Sequence, residues 1–127
     1  MATIRDYNCT VLEASKELTA RERIKAKDTT DASKIDELTK IEPLILSVKE
    51  WVVLSIHNGA LDRPDYNNYV LIDAEGNKYV TGSESFWSSY IEIYREMEKE
   101  NEEYQVKIYR VPSKKYDGKD FITCSII

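Results

Sequence analysis

Residues 44–57, LILSVKEWVVLSIH, limit what this chain can fold into more than any other stretch. β-Branched residues dominate the run and strong helix formers are few, so it predicts a strand. With a period of two, Val52, Leu54 and Ile56 alternate inward, leaving Trp51, Val53, Ser55 and His57 for the opposite face. Lys49-Glu50 interrupts the pattern and predicts a bulge or sharp bend. A long, bent strand is what a small closed barrel requires, because one strand must pair with both halves of the sheet.

The rest of the chain after Pro43 supplies the other parts of such a barrel. Asn58-Gly59 opens a turn, and a polar loop containing Arg63-Pro64 reaches Asp65. Residues 69–73 and 78–81 then read as a hairpin around Ala74-Glu75-Gly76-Asn77, on turn chemistry alone. Thr81 and Ser83 are candidate caps for a helix with Glu84 in its first turn. Phe86, Tyr90, Ile93, Tyr94 and Met97 recur at helical spacing, and Trp87 and Ile91 widen the stripe, which reads as a packing face. The acidic residues that crowd 92–103 end the helix as a solvated run. Two strands close the chain, 105–111 and 120–126, joined by a loop at 112–119.

That closing hairpin has two unlike faces. Val106 and Ile108 share one side of its first strand, Lys107 and Tyr109 the other; Ile122, Cys124 and Ile126 oppose Phe121, Thr123 and Ser125 on its second. One face is core. The other sets Lys107, Tyr109 and Phe121 beside a loop carrying Lys114, Lys115, Tyr116, Gly118 and Lys119. Interleaved cations and rings suit a flexible polyanion with flat bases, meaning single-stranded nucleic acid. Net charge is -5, which argues against coating nucleic acid by bulk electrostatics, so the hairpin is a local exception.

The first 40 residues are polar and read as an arm, with the main domain at 41–127. Residues 9–14 form a candidate strand. Thr19, three residues before Glu22, has capping-box spacing and predicts a short helix over 20–27. Ile35 and Leu38 are spaced for one helical turn. The arm is expected to pack on the main body or on a neighbouring subunit, which leaves a homo-oligomer open.

Little points to chemistry. Cys9 and Cys124 stand at opposite ends and read as structural thiols; His57 has no Cys or second His near it, and Asp62, Asp65 and Asp73 are scattered. No enzyme activity, metal or other cofactor is expected. The first residues lack the basic start and apolar centre of a signal peptide, and no apolar run is long enough for a membrane span, so cytosol is the expected location.

In order, the elements after Pro43 are strand, strand, strand, helix, strand, strand, which is the order of the five-stranded OB-fold with its helix between strands three and four. The loop 112–119 then falls where that fold places a ligand contact. The segment YVLIDAEGNKYVTGSESFWSSYIEIYREM, followed by KIYRVPSKKYDGKDFITCSII, resembles the C-terminal two-thirds of small single-stranded DNA-binding proteins of tailed phages and related mobile elements. The shared pattern is an acidic-Gly turn, a Gly-Ser helix entry, a strand ending in basic residues, a Ser/Lys/Gly loop and an aromatic-led closing strand. The resemblance implies sequence-tolerant binding of single-stranded DNA in replication or recombination, in the cytoplasm of a bacterial host. Ser125-Ile126-Ile127 differs from the acidic, Phe-ended tail with which cellular bacterial single-strand binders recruit partners.

On this reading Tyr109, Tyr116 and Phe121 stack bases, Lys107, Lys114, Lys115 and Lys119 meet phosphates, and Gly118 lets the loop turn. Arg110 shares parity with Val106 and Ile108, and joins them only if its place at the strand end lets it reach out. The overall acidity motivates a second reading: a small interaction module whose acidic run mimics DNA and captures a replication or host protein.

Overall fold

The structure, a computed structural model, describes residues 6–115 and 117–127. The chain is mainly β, with two sheets and a few helices. Strands β1 (Tyr7–Ala14), β2 (Ser33–Lys34), β4 (Val48–Asn58), β5 (Asp65–Asp73) and β6 (Lys78–Thr81) form one sheet in the order β1-β4-β5-β6-β2. Strands β3 (Leu44–Leu46), β7 (Val106–Pro112) and β8 (Asp120–Ile126) form the other, in the order β3-β7-β8. Helices α1 (Ala20–Lys27), α2 (Ile35–Leu38) and α3 (Glu84–Met97) complete the chain.

The expected bend joins the two sheets. β3 and β4 are one run broken at Ser47, whose carbonyl accepts from Ala74 N at 2.9 Å, and the pairing of β4 with β5 shifts register between Val48 and Glu50. The short first part pairs with β7 and the long second part with β1 and β5. A single strand thereby serves both sheets.

The expected closed five-stranded barrel is not present: among the described residues no ladder joins β6 to β8. The edge of β6 that closure would use is taken by β2, paired in parallel through Ser33–Tyr79 and Lys34–Val80. α2 follows directly and stands between the sheets. The Asp36 carboxylate accepts from Thr81 Oγ1 on β6 at 2.7 Å, and its carbonyl accepts from Arg110 Nη2 on β7 at 2.7 Å. On the far side α3 runs beside β8, with Ser85 Oγ donating to the Ile122 carbonyl at 2.8 Å.

Both faces of the larger sheet are buried. Trp51, Val53, Tyr69 and Leu71 face the second sheet and α3, packing with Leu46, Phe86, Tyr90, Val106, Ile108, Ile122 and Cys124. Ile35 of α2 is fully buried in that same core. Trp51 meets Trp87 and Tyr94 edge-on, with centroids 5.2 and 5.3 Å apart, and Trp87 stacks on Tyr69 at 4.8 Å. Val52, Leu54, Ile56, Val70 and Val80 lie on the opposite face, covered by Ala26 of α1 with Cys9, Val11 and Leu18. Alternation therefore sorts residues 51–56 into two sets, and both are core: Val52, Leu54 and Ile56 on one face, and Trp51 and Val53, on the opposite face, in the larger cluster. The N-terminal segment buries the first set.

Local chemistry fixes that segment in place. Thr19 caps α1: its hydroxyl accepts from Glu22 N at 3.2 Å, while the Glu22 carboxylate accepts from Thr19 N at 3.0 Å. Lys78 Nζ closes the other end, donating to the carbonyls of Lys25 and Asp28 at 2.7 and 2.9 Å. Burial pushes the Cys124 thiol up to about 12, so it stays protonated and behaves as a small apolar side chain.

Candidate nucleic-acid interface

The pairing of β7 with β8 decides which side chains meet. Lys107 lies opposite Ser125, Tyr109 opposite Thr123, and Val111 opposite Phe121, all on the face turned away from the core. On the third strand of the same sheet Ile45 pairs with Lys107, and it is exposed. The outer surface of the smaller sheet is thus a platform of Ile45, Lys107, Tyr109, Val111 and Phe121.

Within it the rings are held differently. The Tyr109 hydroxyl shares a 2.8 Å hydrogen bond with Ser125 Oγ, and Lys107 Nζ sits 5.2 Å from its ring centroid, a cation–π contact. Phe121 is 40% exposed, a large apolar ring left in water at the loop end of the platform.

The loop adds charge next to that ring. Ser113 N donates to the Lys119 carbonyl at 2.9 Å, closing the loop at its neck, and Lys115 N donates to Ser113 Oγ at 3.3 Å. Gly118 has φ of 73°, and a Cβ there would meet nothing within 4 Å, so glycine is called for by the backbone and not by crowding. Lys114, Lys115 and Lys119 are exposed. Tyr116, expected to stack a base, lies outside the described residues. An open cleft of about 510 Å³ at the loop is lined by Arg110, Pro112, Ser113, Asp117, Gly118, Lys119 and Asp120.

Arg110 is placed apart from the platform. Its guanidinium points to the inner side of β7 and donates to Thr39 Oγ1 at 3.2 Å, the Asp36 carbonyl at 2.7 Å and Asp120 Oδ1 at 2.7 Å. Its strand-end position does not carry it outward, because α2 offers a carbonyl and a hydroxyl where the gap between the sheets would otherwise leave it unpaired.

The structure therefore groups Lys107, Tyr109 and Phe121 on one face, with Lys114, Lys115, Gly118 and Lys119 in the adjoining loop. Two members were missed from the residues alone. Ile45 was legible, since parity along LIL turns it away from Leu44 and Leu46. The face of Ser125 was legible from parity, but its hydrogen bond with Tyr109 was not, because that contact depends on the cross-strand register. No family model matches the chain, and neither a curated protein nor a solved structure matches it significantly.

Proposed function

We propose that this protein binds single-stranded DNA without strong sequence preference, acting by binding and not by catalysis, through the outer face of β3-β7-β8 and the loop between β7 and β8. The observation that carries the reading is the cross-strand register, which gathers Lys107, Tyr109 and Phe121 on an exposed face beside three loop lysines. Rings offer a π-face to any base, and lysines meet phosphates without reading sequence. Lys107 over Tyr109 supports the pairing of the two roles, since a base arriving on the ring frees the ammonium for the backbone.

The order β4-β5-β6-α3-β7-β8, with a bent first strand shared between sheets, supports an open variant of the OB-fold. In that arrangement the loop after β7 is a ligand-side loop. A role in phage or mobile-element replication or recombination follows from the resemblance of residues 69–127 to that class of proteins.

The test is an anisotropy titration over a poly-dT length series at several salt concentrations. Binding that tightens with length up to a site size, weakens with salt and prefers single strands over duplex is the expected result. Absence of binding at low salt, or equal affinity for duplex, sinks the proposal. A stable complex drawn from a host lysate together with that negative result would favour the acidic interaction module instead, for which the exposed carboxylates at Glu98, Glu100, Glu102 and Glu103 are the supporting feature.

A further inference from the structure

His57, the chain's one histidine, lies at the end of β4 with a carboxylate on each ring nitrogen. Nδ1 is 2.7 Å from Asp65 Oδ1, at the start of β5, and Nε2 is 3.0 Å from Asp6 Oδ1, just ahead of β1. The three strands joined here are neighbours in the sheet, β1-β4-β5. Carboxylates on opposite ring nitrogens cannot close on one metal ion, and among the described residues no group of three such side chains is placed to hold one. A proton satisfies the arrangement. Ionised carboxylates accept only, so both contacts become hydrogen bonds when the imidazole carries two N–H groups.

We propose that Asp6, His57 and Asp65 form a proton-operated staple that holds the leading end of β1 on the sheet when the imidazole is doubly protonated and loosens it when one proton leaves. The two arms are unequal. His57 and Asp65 are direct cross-strand partners in the β4–β5 ladder, so the neutral ring keeps its N–H on Nδ1. Nε2 then turns a lone pair toward Asp6, and that arm opens. Asp6 retains its carbonyl contact with Gly59 N at 2.8 Å, so the strand frays from its first pairs, Tyr7–Asn58 and Asn8–His57, without leaving the sheet.

Other titratable groups around the staple do not share this role. Tyr7 on β1 is raised by burial first and then by Cys9 and Tyr66, so its phenol stays neutral where the imidazole titrates. The β4–β5 connection carries Asp62 and Arg63 in sequence. The hydrogen bond to Asp65, then that to Asp6, raises His57 above the ordinary imidazole value. The sign follows: stabilisation is complete below the unfolded value and is lost as pH rises through the folded one. All three side chains are more than a third exposed, so the effect is local and modest.

The experiment is an NMR titration of the His57 ring, with amide-exchange protection factors for 7–9, in the native chain and in Asp6→Asn, Asp65→Asn and His57→Gln. The native ring should titrate above the ordinary value, and each Asn substitution should lower its midpoint. Protection at 7–9 should fall roughly threefold across that midpoint, the scale of an exposed ion pair. Protection along β4 and β5 should hold, and His57→Gln should remove the step. An unshifted ring in the native chain, insensitivity to Asp6→Asn, or a step that survives His57→Gln would each overturn the staple.

Discussion

The hairpins β5–β6 and β7–β8 are built on the same plan and finished in opposite ways. Each turns through a glycine at positive φ, 88° at Gly76 and 73° at Gly118. In the first, Asp73 is buried at the root of the turn, and its carboxylate accepts from Glu75 N, Asn77 N and Asn77 Nδ2 at 3.0, 2.8 and 3.1 Å. Lys78 is likewise occupied by α1. In the second, the backbone closes the neck, Ser113 N donating to the Lys119 carbonyl, and Lys114, Lys115 and Lys119 lie on the surface. The buried carboxylate makes the first turn scaffold; the second sets exposed lysines beside the exposed Phe121 ring, the surface on which the proposed binding rests.

Asp73→Ala should break the scaffold hairpin and spare binding. Leaving those donors without a carboxylate costs about 2 kcal/mol, read by urea melts at neutral pH, with oligonucleotide affinity of the folded protein unchanged. Burial raises the Asp73 carboxyl, but the hydrogen bonds from Asn77, Glu75 and Tyr79 outweigh it and hold it below the usual range. Its contribution is therefore complete above the ordinary Asp value and lost as pH falls through the folded one. Native protein should lose this increment in acid, and the Ala variant should not.

Phe121→Ala should do the reverse. Loss of one stacking ring weakens oligonucleotide binding by about 1–3 kcal/mol, measured by anisotropy, while the thermal midpoint moves little because the ring is already partly in water. Gly76→Ala and Gly118→Ala form a matched pair, each strained by about 1 kcal/mol in the left-handed region. Only the second should alter binding. The smallest effect is expected for Lys114→Ala: stability within about 0.5 kcal/mol of native, with the slope of log affinity against log salt reduced by about 1. A change of stability without a change of slope would place Lys114 with the scaffold.

What could be read from the residues was what local spacing encodes. The capping box at Thr19 and Glu22, the Ser83 cap, the Gly76 turn and the parity of β7 and β8 each need only a few adjacent positions. β5 starts at Asp65, four residues before the expected strand, because Tyr66, Asn67 and Asn68 pair with Ile56, Ser55 and Leu54 despite their polar pattern. Ladder partners across the turn override propensity there. The Asp36 and Thr39 partners of Arg110, the open barrel and the Asp6 carboxylate on His57 were hidden for a common reason: each depends on where residues 6–39 pack, and a short polar segment gives no periodic signal of its destination.

Arg110 reaches back 71 residues to Thr39 and 74 to Asp36. Ile35, beside them, is buried against Val106, Ile108, Ile122 and Cys124. The order of assembly follows. During synthesis the β4–β5–β6 meander can form from near neighbours, but α2 has no complete core to enter until residues through Cys124 are available. Contacts of such sequence separation slow folding, so the last structural event should be the docking of the closing hairpin onto a wedge made long before it.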